Sequence, residues 1–143
     1  MSRMQRRASA VWQGDLKQGR GTVATASTVL ADAQYSFRSR FEEGVGTNPE
    51  ELIAAAHAGC FAMALSAALG EAGFTPEEIA ASATVTMEPV NGAPTVTKSH
   101  LDVTARVPGA SAEDFLKAAA EAKQNCPISR LLRAEITMDA KLG

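Results

Sequence analysis

The chain has 143 residues, of which 45% are hydrophobic and 21% charged, and its formal net charge is −2. That length gives one domain, residues 1–143, with a real core and is too short for two ordinary ones. The composition excludes a largely disordered chain, and the slightly negative balance gives no electrostatic reason to expect a nucleic-acid partner.

Arg3, Arg6 and Arg7 near the start are followed by no apolar run. The segment therefore does not read as a signal peptide, and a cytoplasmic protein is the expectation. In a reducing compartment the two cysteines, Cys60 and Cys126, are either buried thiols or a working redox pair, not a permanent staple.

In chain order, residues 8–13 read as a strand ending at Gly14-Asp15, and Gly19-Arg20-Gly21 as a turn. Residues 22–30 carry the Thr and Val of a second strand. Residues 34–41 alternate, with Tyr35, Phe37, Ser39 and Phe41 on one face and Gln34, Ser36, Arg38 and Arg40 on the other. A three-strand antiparallel meander is the simplest arrangement.

Residues 47–69 read as a long helix. Thr47 or Asn48 caps it, Pro49 sits in its first turn, and Glu50 and Glu51 face the positive end of its dipole. Gly70 and Gly73 supply the stop. Between them the residues are small and apolar on all sides, which predicts a helix buried all round. At roughly twenty residues it approaches membrane-span length, but Glu, His and Ser interrupt the apolar run, so a core helix is expected instead of a span.

Residues 75–78 form a capped turn or tight connection. Residues 83–90 and 95–107 alternate around Asn91-Gly92, a hairpin signal. Ser111 opens a second helix reaching about residue 124, and Cys126-Pro127 interrupts it. Residues 128–132 add a turn, and residues 134–142 close the chain as a strand. The order is βββ-α-ββ-α-β, an α+β fold with mainly antiparallel sheets wrapped around the central helix. A helix without a charged face is hard to cover within so short a chain, which points to a homodimer.

Cys60 lies mid-helix, three residues from His57 on one face. A reactive thiolate needs a cation or a helix N-terminus. The helix middle offers no dipole, so the available cations are Arg38, Arg40 and Arg20. Cys126 precedes Pro127, where free backbone N–H groups can approach its sulfur. Glu50 lies ten positions before Cys60, about 15 Å along the helix axis. It can serve a Cys60 only from a second chain whose helix packs antiparallel. His57 reads as a packed neighbour or as the base of a Cys/His pair, and His100 has no evident partner. No Cys or His pair has zinc-type spacing, so neither a metal nor a cofactor is expected.

Three stretches together carry a specific signal: Gly46-Thr-Asn-Pro-Glu50-Glu-Leu52, Ala55-Ala-His57-Ala-Gly-Cys60-Phe61 and Asn125-Cys126-Pro-Ile-Ser129. They resemble the OsmC/Ohr family of thiol-dependent hydroperoxide reductases, and the OsmC branch more than the Ohr branch. The resemblance runs essentially the whole chain. It implies Cys60 as the peroxidatic cysteine, Cys126 as the resolving one, and Glu50 as the holder of an active-site arginine. On the OsmC pattern that arginine is Arg40; on the Ohr pattern it lies near Arg20.

The resemblance further implies an intertwined homodimer with both sites at the interface, a peroxide substrate and a dithiol reductant. Phe61, Met63 and Ile128 are expected to favour organic hydroperoxides by burying an alkyl chain. Two rivals remain at this level. One is a Cys60/His57 acyl-transfer hydrolase; the other is a redox-sensing or ligand-binding module using the same cysteines without turnover.

Overall fold

The computed structural model describes residues 2–143, which fold as two compact units, Met1–Leu52 and Ile53–Gly143. In the first, β1 (Ala8–Gln13), β2 (Arg20–Thr25) and β3 (Ala33–Tyr35) form an antiparallel sheet in that order. Gly21 pairs with Trp12 on one side and Tyr35 on the other. Lacking a side chain, it lets the two rings close over it at 5.5 Å. An added Cβ would come within 2.5 Å of Tyr35 Cε1.

Two expectations change here. The second strand stops at Thr25 instead of residue 30, because Thr25 N–H donates to Leu30 O at 2.9 Å and Thr28 turns to φ 65°. Residues 34–41 are not one strand. β3 ends at Tyr35, and α1 (Phe37–Phe41) follows, so Arg38 and Arg40 lie on a short helix. The cause is local: Ser36 and Ser39 form a reciprocal capping box, which satisfies the helical N–H groups that a strand would have left to a neighbour.

The long helix α2 (Pro49–Glu71) starts as its residues dictate. Asn48 Oδ1 accepts the Glu51 N–H at 2.7 Å, and the Thr47 hydroxyl donates to the Glu51 carboxylate at 2.7 Å. Gly73, at φ 92°, ends it, and the Phe74 N–H donates back to Leu69 O at 2.9 Å.

The second unit carries β4 (Glu78–Val90), β5 (Ala93–Arg106), α3 (Ala112–Asn125), α4 (Pro127–Leu131) and β6 (Glu135–Leu142). β4 and β5 pair antiparallel around Asn91-Gly92, whose φ values of 52° and 82° are those of a tight hairpin turn. β6 pairs parallel to β5, because α3 and α4 carry the chain back across the sheet before it re-enters.

Along β5, Ser99, Leu101, Val103 and Ala105 point inward and Lys98, Asp102, Thr104 and Arg106 outward. The inward residues join Phe61, Leu65 and Leu69 of α2 and Phe115, Ala118, Ala119 and Ala122 of α3 in one buried cluster. The α2 contribution, with His57, is a single stripe at every fourth position. The expectation of burial on every side therefore does not hold for the chain alone: Met63, on another face, is 77% exposed. The helix is long and apolar enough to cross a membrane, and its fully buried stripe belongs to the protein core.

Leu65 is fully enclosed by this cluster. Leu65→Ala should cost about 2–5 kcal/mol in urea denaturation, through lost transfer energy plus the cavity left behind. A loss below about 1 kcal/mol would contradict this packing.

Candidate active site

In Met1–Leu52, the capping box does more than start α1. The Ser39 hydroxyl donates to Thr47 O at 2.8 Å, and Ser39 O accepts from Asn48 Nδ2 at 3.0 Å. These bonds tie α1 to the N-terminus of α2. The next residue, Arg40, then meets Glu50 in a two-pronged pair: Nε to Oε1 at 2.9 Å and Nη2 to Oε2 at 3.0 Å. The fork fixes the guanidinium plane and leaves Nη1 free to bind something else. Arg40 also lies 5.1 Å from the Phe41 ring centroid.

Around it opens a cleft of about 230 Å³ lined by Trp12, Leu16, Tyr35, Phe37 and Phe41. It is an apolar surface with one fixed cation. Arg38 is exposed, and Arg20 makes a 3.4 Å bond to Gln13. Of the three candidate cations, Arg40 is the one held in a fork by Glu50.

In Ile53–Gly143, α3 ends at Asn125 because Pro127 has no N–H to continue it, and Cys126 forms the joint between α3 and α4. Cys60 is half-buried and Cys126 fully buried; both are free thiols. Cys126 and the Ile128 backbone lie beside Cys60, close enough to shift its thiol. Burial and the Cys126 thiol push the Cys60 thiol above its ordinary value, and the Ile128 backbone pulls it back in part. These two residues are 66 positions apart in the chain, and the fold brings them side by side.

Residues 42–141 match the family profile described as OsmC-like protein. Over 137 residues the chain is 50% identical to Peroxiredoxin OsmC of Escherichia coli (strain K12), covering 96% of both. The chain belongs to the OsmC family. Among solved structures, an OsmC-like protein of unknown function from Vibrio cholerae superposes with a TM-score of 0.76 at 17% identity, covering 96% of this chain and 99% of that one. An organic hydroperoxide resistance protein from Elizabethkingia anophelis gives 0.70 at 23% identity, covering 100% and 99%. At such identities these two show a shared OsmC-like fold.

Other expected residues fall differently in this OsmC chain. Phe61 is fully buried in the core, so it cannot line a substrate surface; Ile128 is half-buried and Met63 exposed. His57 is fully buried, with Nδ1 2.7 Å from Ser99 Oγ and Nε2 2.8 Å from Ser129 Oγ. Both ring nitrogens are engaged by hydroxyls, which leaves none for Cys60 and removes the Cys60/His57 hydrolase reading.

His100 has partners that the sequence did not reveal. Its Nδ1 is 2.6 Å from Thr137 Oγ1, and its Nε2 lies 3.3 Å from Asp102 and 3.2 Å from Asp139. These residues could hold a cation. The group sits on the sheet face opposite Ser99, and direct cross-strand pairing accounts for its geometry.

Burial lowers the pKa of His57 below its ordinary 6.5. The unfolded chain then takes up a proton on this ring at a higher pH than the folded chain does. Stability held by the neutral ring is complete above pH 6.5 and is lost as pH falls from there through the lowered folded value. Urea midpoints should decline over that window, and His57→Gln should flatten the decline. Equal slopes in both proteins would contradict a buried neutral ring.

Proposed function

We propose that this chain is a cysteine-based peroxidase that reduces organic hydroperoxides, and hydrogen peroxide less efficiently, in oxidative or osmotic stress defence. The observation that carries this reading is the proximity of two free cysteines, Cys60 and Cys126, in one unit, with the Ile128 backbone beside Cys60. The names of the relatives, a peroxiredoxin and an organic hydroperoxide resistance protein, agree with it.

In this mechanism the Cys60 thiolate attacks the outer peroxide oxygen, the O–O bond breaks, and an alcohol leaves after taking up a proton. Arg40, held by Glu50, stabilises the thiolate and the charge developing on the leaving oxygen. The neighbours of Cys60 in its own unit raise its pKa on balance, so a cation is the element the chemistry still requires. The aromatic cleft beside Arg40 receives the organic group of the peroxide. Cys126 then attacks the Cys60 sulfenic acid, water leaves, and a disulfide forms before further oxidation. A dithiol reductant restores both thiols by two exchanges.

Residues 1–143 act as one OsmC-like domain within a homodimer. Glu50 and Cys60 are ten residues apart on one helix, about 15 Å along its axis. The Arg40–Glu50 pair of one protomer therefore serves Cys60 of its partner. The apolar faces of α2 that include Met63 supply the dimer contact. The protein works in the cytoplasm, where dithiol reductants are maintained.

Peroxide consumption with cumene hydroperoxide and excess dithiol tests the reaction. Wild type should turn over many equivalents, Cys60→Ser none, and Cys126→Ser should over-oxidise and stop. Arg40→Met should slow the first step on the order of a hundredfold. Consumption of a single equivalent by wild type would instead mark a redox sensor, and indifference to both cysteine changes would sink the peroxidase. Sedimentation should give a two-chain mass, lost in Met63→Glu; a monomeric wild type would overturn the shared site.

A further inference from the structure

The peroxidase reading uses Cys60, Cys126, Arg40 and Glu50 and gives no task to His57. Yet His57 is the one fully buried polar residue of α2. A buried imidazole is costly unless its polar atoms are bonded, and here both are. Its two partners belong to different elements. Ser99 is on the inward face of β5, while Ser129 is on α4.

The α4 end of this bridge matters because α4 cannot hold itself. It has five residues, none of them fully buried, and a helix that short has no independent stability. At its two ends, Arg130 N–H donates to Cys126 O at 3.0 Å and Leu132 N–H to Ile128 O at 3.1 Å. Its footing on the core comes through side chains, and the part-buried Ser129 Oγ on His57 is the polar one. One turn further along α2, the same short helix meets Cys60 through Cys126 and the Ile128 backbone. α4 is thus attached at two successive turns of α2, at residues 57 and 60.

We propose that His57 is a positioning residue: anchored by Ser99 and gripping Ser129, it docks the Cys126–Ile128 turn on Cys60 and so decides whether oxidised Cys60 forms a disulfide or over-oxidises. The inference rests on the peroxidase reading. In the step it governs, the Cys126 sulfur attacks the Cys60 sulfenic sulfur, the S–O bond breaks, and the oxygen leaves as water with the Cys126 proton. A second peroxide competes by oxidising the same sulfenic acid to sulfinic acid. Chemical attack on the first peroxide precedes this branch, and undocking removes both the Cys126 thiol that raises the Cys60 pKa and the Ile128 backbone that lowers it, so the first step changes little. A neutral His57 matches two hydroxyls, donating to one and accepting from the other. The bridge therefore needs no ionised group.

The test is the ratio of Cys60 sulfinic acid to Cys60–Cys126 disulfide, read by mass spectrometry after rapid mixing with cumene hydroperoxide. The same samples give the rate of the first Cys60 oxidation. Ser129 is only half-buried, so its substitutions leave the core intact. Loss of one hydrogen bond at the docked turn should raise that ratio about five- to tenfold in Ser129→Ala. The first oxidation should stay within about twofold of wild type. Ser129→Thr, which keeps the hydroxyl, should restore the wild-type ratio. His57→Gln should raise the ratio, and His57→Gln with Ser129→Ala should be no worse than the worse single variant, because both cut one link.

A wild-type ratio in Ser129→Ala would overturn the proposal, as would additive effects in the double variant. A merely structural role would lower stability in all variants alike without Thr restoring the ratio. A wild type that consumes peroxide without any Cys60–Cys126 disulfide would remove the peroxidase reading and this one together. A normal wild type with an unchanged Ser129→Ala would remove this one alone.

Discussion

The break between α3 and α4 is the constraint on which the proximity of Cys60 and Cys126 depends. Pro127 has no N–H with which to continue α3, so the chain turns at Cys126 and restarts at once as α4. Turning there, and not a residue earlier or later, leaves the Cys126 thiol and the Ile128 backbone beside Cys60. The buried face of α3, Phe115, Ala118, Ala119 and Ala122, holds the incoming helix on the core. The stripe Phe61, Leu65 and Leu69 holds α2 in the same cluster. Apolar packing thus fixes the two helices, and one proline fixes what happens where they meet.

A second device of the same kind organises the other unit. Ser36, Ser39, Thr47 and Asn48 form a chain of short polar bonds whose products are the α1 cap and the α2 start. The Arg40–Glu50 fork stands on that framework. Its arginine side chain is 36% exposed and its glutamate 14%, so the pair adds little to stability. Its worth is geometric: a guanidinium held in one plane by a carboxylate, next to an aromatic cleft. In the proposed dimer such a cation supplies what the surroundings of Cys60 lack.

Much of this was legible because it is written in local chemistry. The α2 start at Asn48-Pro49, the Asn91-Gly92 hairpin, the Ser111 cap and the Cys126-Pro127 stop each rest on a few adjacent residues whose physics is independent of the rest of the chain. The motif around the two cysteines led to the family. What failed was also local, where two signals competed. Residues 34–41 alternate like a strand, but Ser36 and Ser39 cap a helix, and the cap prevailed. The burial of α2 was overread because apolar character on all faces says that a helix wants cover, not where the cover comes from. The parallel entry of β6, which pairs Lys98 with Glu135, and the Ser99–His57–Ser129 bridge, which joins residues 42 and 72 positions apart, were not legible, since no spacing rule connects them.

In the proposed reaction, Cys60 and Cys126 of one chain are partners. The most direct measurement is a peptide map, without reduction, of protein treated with one equivalent of hydroperoxide per chain. Mixing chains of natural and heavy isotope content beforehand separates bonds within a chain from bonds between chains. A single cross-linked peptide pair joining Cys60 to Cys126 is expected, with both halves always of the same isotope content. Mixed-isotope pairs, or a Cys60 oxidised while Cys126 keeps its thiol, would contradict it.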